Sequence, residues 1–498
     1  MRIRATSPPP ADAATRYRRA GYWQPSRSGR GQRILLVDND SQWTHKQLAA
    51  AVSRVRAELT NAAVTADDAL LVLAPLRNAA VAAYLAVLDL GAVVVLLDRR
   101  CGESDLLNAC RAVRPRVALA FEADSQRLDL ARHCRVLPLD RVEGHGAPIA
   151  DDSDTVLDPD VPAVVVFTSG TTSAPKGVIH TLNSLRCATA NMVAALEVTS
   201  DDAFFLSSPL ASITGVLQLE SALAVHGKLI LEDRFSAGSS LDRVCRYGAT
   251  IIGGAPVIAE SLFAEADRRG LHALPLRCVA VGGAMVPQTV ADTAIRFGVR
   301  PVRVYGSSEA PYSTSTALTD RSAVDDGVAL PGVEVATRDA DELVIRGPHQ
   351  FHGYLDAADN ADAFSDDWFR TGDQADIVNG RVRITGRLKE VVIRKGMKIS
   401  LAEVDTAAAV LGECAAFGMP DEMCGERVVL AVRGGADITY DSVVERLSAA
   451  GLARWKLPEQ IVLWDGPFPL NASGKIVRHQ LADSCARYRS VCAPRLNA

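Results

Sequence analysis

Up to about residue 386, short apolar runs alternate with segments that carry an apolar residue every three or four positions. The runs predict buried strands, and the segments predict helices between them. One helix is expected to begin after Thr44, a typical N-cap residue, because Leu48, Val52, Val55 and Leu59 would then share one face. The predicted strands are 34–37, 70–73, 93–96, 117–121, 163–167, 204–207, 250–252, 279–281 and 302–304. This alternation predicts an α/β fold with parallel-rich sheets.

The pattern changes near residue 386, within the basic, strand-rich stretch GRVRITGRLKEVVIRKGMKIS. A compact α/β segment and a final loop, PLNASGKIVRHQL, follow that stretch. The C-terminal part would have about a hundred residues, which is an ordinary domain size. We therefore predict a large N-terminal α/β domain over residues 1–386 and a small mobile C-terminal α/β domain over residues 387–498.

The longest apolar run, residues 81–98, approaches the length of a membrane-spanning helix. Asp89 and Gly91 divide this run, so we predict a buried helix followed by a buried strand, and no membrane span. The basic, Pro-rich segment at the beginning of the chain lacks the apolar core of a signal peptide. A cytoplasmic protein is therefore expected.

Charge and cysteine content narrow the functional classes. The formal net charge is −5. This charge argues against a general binder of nucleic acids or anionic membranes, because such proteins are typically basic. The ten cysteines are scattered, with no CxxC pair and no neighbouring histidines that would complete a zinc site. We predict reduced thiols, because a disulfide framework is typical of small secreted chains.

A loop rich in hydroxyl groups carries the strongest chemical signal. The stretch VVFTSGTTSAPKG runs from a predicted strand through Thr168 to Lys176. Backbone N–H groups and hydroxyls of such a loop can surround phosphates, while the lysine adds positive charge. It is not a Walker A loop, because Pro175 stands where that motif has glycine before the lysine. Alone, the loop is also compatible with an ordinary Ser/Thr-rich turn.

Three further motifs follow in sequence order. YGSSE (305–309) comes directly after a predicted strand, where α/β proteins bind ligands, and its glutamate suits Mg²⁺. WFRTGD (368–373) places an aspartate on a glycine turn, where it can accept hydrogen bonds from a ribose diol. SGK (473–475) lies near the C-terminus. Each motif is weak alone, because most surface glutamates and lysines are simply solvated.

Together and in this order, the four motifs resemble the adenylate-forming superfamily, which includes acyl-CoA and aryl-CoA synthetases, firefly luciferase and the adenylation domains of peptide synthetases. The resemblance extends from about Tyr17 to Leu481. RYRRAGYW (16–23), GP…GY (347–354), ITGR (384–387) and GLARWKLPE (451–459) are similar to enzymes that activate aryl and cyclohexane-type acids. The resemblance implies ATP, Mg²⁺ and coenzyme A as cofactors, AMP as a product, and a small carboxylic acid as substrate.

The resemblance also implies the nucleotide-binding residues. A loop that holds the β- and γ-phosphates would contain Thr168, Ser169, Gly170, Thr171, Thr172 and Lys176. The rest of the nucleotide would lie against Gly282, Gly283, Ala284, Tyr305, Gly306, Ser307 and Ser308. Asp373 would bind the ribose hydroxyls, with Arg387 close by.

The same resemblance implies a catalytic set of Lys176, Glu309 and Lys475. Glu309 would hold Mg²⁺, and Lys475 would bridge the carboxylate of the acid and the α-phosphate. Lys389 would be the hinge about which the small domain rotates between adenylate formation and thioester formation. This rotation would exchange the face that carries Lys475 for the face that contains residues 389–400.

Four sites along the chain depart from the family pattern. Ser173 stands where glycine is usual, and Ser308 stands where threonine is usual. The loop at Ala211 and Ser212 lacks the aromatic residue or histidine of many relatives. KGMK (395–398) replaces the Gly-Gly-Glu-Asn run of many CoA ligases. These positions bear on acid specificity, on the balance of the two half-reactions and on the thiol acceptor.

Small residues dominate the predicted acyl pocket, which comprises Ala211, Ser212, Gly215, Gly253, Gly282, Gly306 and Tyr312. These residues lie in the stretches 207–215, 253–255, 282–284 and 306–312, whose small side chains leave volume. Apart from Glu309, the stretches contain no charged residue that could pair with a second charge on the acid. This predicts a bulky, mostly apolar monocarboxylic acid of the alicyclic, polycyclic or aryl kind. The alternative is that Tyr312 or the helix after Gly215 fills the space, which would give a short-chain enzyme.

The leading hypothesis is a free-standing acyl- or aryl-CoA ligase. The alternatives are an enzyme that loads a separate carrier protein or forms an amide, an enzyme specialised in the thioester step, and a silent binding protein that keeps the fold. The sequence also leaves a homodimer open.

Overall fold

A computed structural model describes residues 17–18, 30–144, 156–168, 175–283, 286–320, 324–388, 390–394, 397–421, 423–434, 438–471 and 475–493. The chain forms two compact units. The larger unit comprises Met1–Glu334 and Ile345–Phe369, and the smaller unit comprises Val335–Val344 and Arg370–Ala498. Each unit has hydrophobic cores of its own.

The larger unit contains a seven-stranded sheet built around runs of buried valine and leucine. Five neighbouring strands of this sheet are parallel to one another. Two further strands extend the sheet at one edge, and each of them is antiparallel to the strand before it. In spatial order the strands are Gly353–Tyr354, Gly177–Thr181, Pro162–Phe167, Val93–Leu97, Ala69–Leu73, Val117–Ala120 and Arg135–Pro138.

A second set of strands in the larger unit also has a parallel centre, formed by six strands from Ile34–Val37 to Arg300–Tyr305. Antiparallel strands flank this centre on both sides. The spatial order is Gln42–Thr44, Ile34–Val37, Lys228–Leu231, Ala203–Leu206, Ile251–Gly254, Cys278–Gly282, Arg300–Tyr305, Thr314–Ser315 and Val328–Ala329. A separate short pair joins Tyr17–Arg18 to Val156–Leu157.

Helices of the larger unit connect these strands. Thr44 caps the first helix as predicted, because its Oγ1 accepts a hydrogen bond from the Gln47 N–H while Gln47 Oε1 accepts one from the Thr44 N–H. The described helices are His45–Asn61, Asn78–Asp89, Glu103–Val113, Glu122–Arg127, Leu182–Ala195, Ile213–Ala224, Ala237–Tyr247, Pro256–Arg268 and Gln288–Arg296.

The smaller unit has strands on both sides of residue 387. Four strands that lie wholly or mainly in it follow one another in space as Glu334–Arg338, Glu342–Arg346, Trp368–Val378 and Arg381–Arg387. Another sheet has the order Met397–Ser400, Val391–Arg394, Gly425–Arg433, Gln460–Trp464 and Ser490–Cys492, with Cys414–Asp421 also paired to Gly425–Arg433. Its described helices are Leu401–Ala408, Tyr440–Ala449 and Arg478–Ser484.

The α/β fold with parallel-rich sheets is confirmed, and the ends of each predicted strand lie within two residues of those observed. The run at 81–98 forms the buried helix Asn78–Asp89 and the buried strand Val93–Leu97, separated by Gly91 at a φ of 73°. No helix among the described residues has the length and apolar character to cross a membrane. All ten cysteines are free thiols. The predicted boundary between residues 386 and 387 marks where a mobile C-terminal domain would begin, and it stays a prediction.

Candidate functional site

The carboxyl ends of four neighbouring strands in the larger unit lie side by side. Ala203–Leu206, Ile251–Gly254, Cys278–Gly282 and Arg300–Tyr305 are parallel neighbours in this order. The loops that follow them therefore meet at one edge, the usual ligand-binding position of a parallel sheet. This placement brings together segments that are far apart in sequence and that contain Ala211, Ser212, Gly253, Gly282, Gly283, Tyr305 and Gly306.

Two glycines at this edge permit close backbone packing. A Cβ atom on Gly282 would lie 2.2 Å from the carbonyl oxygen of Val304, and one on Gly306 would lie 2.5 Å from the backbone nitrogen of Tyr312. Any other residue at these positions would force the neighbouring backbone to move. Gly283 follows with a φ of 74°, a conformation that favours glycine.

The predicted phosphate loop connects two antiparallel strands, Pro162–Phe167 and Gly177–Thr181. The Thr168 N–H donates to the Lys176 carbonyl over 2.9 Å, so both ends of the loop are fixed by the ladder. Lys176 is described, whereas Ser169, Gly170, Thr171 and Thr172 lie outside the described residues. Ala284 and Lys389 also lie outside them.

Lys176 and Glu309 are joined by a side chain that the sequence did not single out. The Tyr354 hydroxyl donates to Glu309 Oε1 over 2.8 Å, and Lys176 Nζ lies 4.7 Å from the centre of the Tyr354 ring. Lys176 Nζ also forms a 2.9 Å ion pair with Asp359 Oδ1. Tyr354 entered the sequence analysis only within the GP…GY similarity, and Asp359 had no sequence signal.

Backbone contacts on several sides fix the YGSSE loop. Ser307 Oγ accepts hydrogen bonds from the N–H groups of Glu309 and Ala310. The Glu309 carbonyl accepts one from the Phe351 N–H over 2.7 Å. This loop therefore presents the Glu309 side chain from a well-supported backbone, as a binding residue requires.

His180 supports the same loop from the neighbouring hairpin strand. Its Nε2 lies 2.7 Å from the carbonyl oxygen of Ser308, and its Nδ1 lies 3.0 Å from Ser184 Oγ. Because a carbonyl only accepts, Nε2 carries the proton, and the neutral ring then accepts from Ser184 at Nδ1. Burial lowers the pKa of His180 to about 4, which keeps the ring neutral near pH 7. No sequence motif singled out His180.

The predicted acyl pocket begins at the N-terminus of the helix Ile213–Ala224. Ser212 caps this helix by accepting from the Gly215 N–H over 3.2 Å, and its hydroxyl donates to the Pro209 carbonyl. Gly215 packs against that same carbonyl, because a Cβ there would lie 2.1 Å from it. Gln218 Nε2, one turn along, donates to the Gly253 carbonyl over 3.3 Å.

Tyr312 is buried and has a φ of 54°, which is uncommon for a residue of its size. Its hydroxyl has no hydrogen-bond partner within the part of the chain that the structure describes. Burial raises the pKa of this hydroxyl, so it keeps its proton. Strained backbone and orphaned polar groups are concentrated at functional sites, and both occur here.

Asp373 and Arg387 face each other on adjacent strands of the smaller unit. Arg387 Nε donates to Asp373 Oδ1 over 2.8 Å. The turn before Asp373 depends on Gly372, whose φ is 70°, and the Gly372 carbonyl accepts from the Leu388 N–H over 2.8 Å. The aspartate and arginine expected near one ribose are thus adjacent.

Lys475 lies in the smaller unit, at the end of a loop closed by Asn471. The Lys475 N–H donates to Asn471 Oδ1 over 2.9 Å, and the Asn471 N–H donates to the Lys475 carbonyl over 2.8 Å. These bonds fix the backbone of Lys475. Lys176, Glu309 and Ser308 belong to the larger unit, whereas Lys475, Asp373 and Arg387 belong to the smaller one.

Glu309 fits the requirements of a magnesium ligand. One carboxylate oxygen accepts from Tyr354, and Glu309 has no further side-chain partner among the described residues. A single protein carboxylate with a free oxygen is typical of Mg²⁺ sites, in which phosphate and water supply the other ligands.

Comparison with known proteins gives the family. The model of the AMP-binding enzymes matches residues 23–355. The medium-chain fatty-acid–CoA ligase of Escherichia coli (strain K12) is 28% identical over 513 residues, covering 94% of this chain and 90% of that protein. A Rhodococcus jostii (strain RHA1) CoA ligase for a methyl-dioxo-octahydro-indenyl propanoyl group is 28% identical over 499 residues, covering 91% and 96%.

A solved structure agrees with the fold. The o-succinylbenzoate CoA synthetase of Bacillus subtilis, in complex with its acyl-adenylate intermediate, has a TM-score of 0.80 and 22% sequence identity, covering 90% of this chain and 95% of that one. With the family model spanning most of the chain, the resemblance carried by the four motifs is confirmed: the protein belongs to the AMP-binding enzymes of the adenylate-forming superfamily.

Proposed function

We propose that this AMP-binding enzyme is an ATP-dependent, AMP-forming ligase that joins a bulky, mostly apolar carboxylic acid to coenzyme A. The observation that carries the proposal is that Lys176 and Glu309 both contact Tyr354, with a glutamate oxygen left for a cation. The relatives named above, similar along nearly the whole chain, are CoA ligases.

The first half-reaction converts a poor acyl donor into a good one. A carboxylate has oxide as its leaving group, whereas the acyl-adenylate has AMP. A carboxylate oxygen attacks the α-phosphorus of ATP, and the bond to pyrophosphate breaks. This step requires alignment and charge neutralisation, with no general base. Mg²⁺, when bound, supplies positive charge at the phosphates.

We assign the nucleotide contacts to four groups of residues. The β- and γ-phosphates lie in the loop from Thr168 to Lys176, and adenine lies between Tyr305 and the segment from Gly282 to Ala284. Asp373 accepts hydrogen bonds from the ribose hydroxyls, and its contact with Arg387 keeps the carboxylate in place. Ser308 donates its hydroxyl to the α-phosphate or the acid.

Lys475 neutralises the carboxylate and the α-phosphate during adenylate formation. A lysine suits this task because its ammonium group is a compact charge on a flexible stem. In the second half-reaction the CoA thiol attacks the acyl carbon and AMP leaves with the bonding electrons. Lys475 has no function in this step, so rotation about Lys389 can remove it from the site.

The acid is proposed to be alicyclic, polycyclic or aryl. Any free volume in the pocket lies beyond Gly215 and Gly253 themselves, because a Cβ there would lie 2.1 Å from the Pro209 carbonyl oxygen and 3.1 Å from Gln218. The Rhodococcus jostii relative acts on a fused-ring propanoate, which is an acid of this kind. Each buried methylene contributes only about 1 kcal/mol, so a roomy pocket would discriminate poorly among small acids.

Pyrophosphate release tests the proposal directly. The enzyme is assayed with Mg²⁺ and ATP on acetate, an amino acid, benzoate, cyclohexanecarboxylate and a fused-ring acid, with and without CoA. We expect the ring acids to have the highest specificity constants and CoA to convert the bound adenylate into thioester. Acetate or an amino acid as the best substrate would refute the acid class. Adenylate formation without any thioester would instead favour a carrier protein or an amine as acceptor.

A further inference from the structure

Four side chains that contact one another link the phosphate loop to the metal-binding glutamate. Lys176 stands at the end of the phosphate hairpin, Glu309 in the YGSSE loop, and Tyr354 and Asp359 follow forty-five and fifty residues later. The strand Gly353–Tyr354 pairs with Gly177–Thr181, and the Leu355 N–H donates to the Gly177 carbonyl. This pairing places Tyr354 beside the hairpin, between the lysine and the glutamate.

Lys176 has a partner that competes with any bound phosphate. Its ammonium group is 2.9 Å from Asp359, and the two side chains are 34% and 33% exposed. An ion pair in contact with water is weak, so it holds the lysine without trapping it. The Tyr354 ring, 4.7 Å away, gives the same ammonium group a second resting contact.

Tyr354 acts on the glutamate as a donor only. The hydroxyl lies 2.8 Å from Glu309 Oε1, and because a carboxylate oxygen only accepts, the Tyr354 proton points at this oxygen. Fixing one carboxylate oxygen leaves the other directed for a cation, and outer partners of this kind orient metal ligands. The Tyr354 ring itself is packed on Phe351, with 4.8 Å between ring centres.

We propose that Tyr354 and Asp359 are positioning residues that form a nucleotide-dependent latch, an inference that rests on the proposed ATP-binding function. Without ATP, Asp359 and the Tyr354 ring hold Lys176 aside. When ATP binds, Lys176 exchanges Asp359 for the β- and γ-phosphates. Tyr354 keeps its hydrogen bond to Glu309 in both states, and this bond keeps the second carboxylate oxygen of Glu309 directed at Mg²⁺.

The latch is tested by ATP binding to the full chain without acid, measured by isothermal titration calorimetry. Asp359→Asn and Asp359→Ala remove the competing charge, so ATP should bind up to about fivefold more tightly, the range expected for losing a solvated ion pair. Asp362→Asn is the matched control, because it removes an equal charge three residues away. An affinity gain no greater than that of Asp362→Asn would overturn the role of Asp359.

Tyr354→Phe tests the other half of the latch. The ring and its packing on Phe351 are kept, and only the bond to Glu309 is lost. ATP affinity measured without Mg²⁺ should be unchanged, whereas the Mg²⁺ concentration that half-saturates the gain in ATP affinity should rise several-fold. An unchanged magnesium requirement would overturn the role of Tyr354, and circular dichroism confirms that each variant is folded. Failure of the proposed function is distinct, since the wild-type chain would then bind no ATP.

Discussion

Glu220 is a carboxylic acid buried among helices of the larger unit. It lies on the helix Ile213–Ala224 and accepts a 2.6 Å hydrogen bond from the hydroxyl of Tyr84, on the helix Asn78–Asp89. Burial raises the pKa of Glu220 from its ordinary 4.5 to about 8, because the charged form loses its hydration. Between about pH 4.5 and about pH 8, Glu220 therefore keeps its proton in the folded chain and loses it in the unfolded chain.

This proton makes stability depend on pH, and the sign follows from the raised pKa. The contribution of Glu220 is fully present below about pH 4.5 and is lost as the pH rises to about 8. Glu220→Gln keeps an acceptor for Tyr84 and has no proton to lose. We expect the thermal midpoint of the variant to decline less than that of the wild type over this range. Parallel curves would show that Glu220 is ionised in the folded chain. Tyr84→Phe, which removes the donor, should keep the slope.

Lys475 is predicted to serve adenylate formation alone. Lys475→Ala should lower acid- and ATP-dependent pyrophosphate release by about a hundredfold or more, because the lost interaction acts mainly in the transition state. Thioester formation from a supplied acyl-adenylate should survive. Lys456→Ala, which removes a lysine of the same unit that is paired with Glu403, is the control. Equal loss of both half-reactions would contradict the assigned role.

The types of residues and their order along the chain were sufficient to predict the family. The contacts that support these residues could be identified only in the folded structure. Lys176, Glu309 and Asp373 stand in motifs that can be read along the chain. His180 holds the Ser308 carbonyl from 128 positions away, and Tyr354 holds Glu309 from 45 positions away. A histidine or tyrosine in a strand is more often ordinary core, so no local pattern distinguishes these two.

Parallel strands position the site at the level of elements. Adjacent strands end at one edge, and the loops after them inherit the positions that pairing dictates. Strands were predicted well because buried parallel strands are continuous apolar runs. The antiparallel strand Gly353–Tyr354 was not predicted, since two residues carry no periodicity and depend on the partner strand for their hydrogen bonds.

Gly282 tests how closely two of these strands must approach. An added Cβ would lie 2.2 Å from the Val304 carbonyl, so Gly282→Ala should push apart the loops after both strands. We expect a lower thermal midpoint, since overpacking costs about 1–3 kcal/mol, and ATP binding weakened by about tenfold. Gly270→Ala, at a φ of 69° with open space around it, should lower the midpoint with unchanged ATP affinity. Wild-type ATP affinity in Gly282→Ala would contradict this packing argument.

At the scale of the whole molecule, the side chains predicted to be catalytic belong to two different compact units. Lys176 and Glu309 belong to the larger unit, and Asp373 and Lys475 to the smaller. Composition changes predicted a boundary near residue 387, whereas compactness groups Val335–Val344 and Arg370–Ala498 together. The predicted pivot and the compact units describe different properties. A pivot lies where backbone torsion angles change during motion, whereas a compact unit is defined by contacts within one conformation. Rotation at residue 389 therefore stays a prediction.

Lys389→Pro tests this rotation. Proline fixes φ near −65° and removes an N–H, so it would block a swivel at that point. The Leu388 N–H donates to the Gly372 carbonyl, and the Glu390 N–H donates to the Arg387 carbonyl across residue 389, so a swivel at residue 389 would have to open the second bond. We expect pyrophosphate release to persist while thioester formation falls, with the two half-reactions measured separately in rapid-quench experiments. Lys389→Ala leaves the torsion free and separates the effect of the side chain. A normal thioester rate in Lys389→Pro would mean that the pivot lies elsewhere or that no rotation is needed.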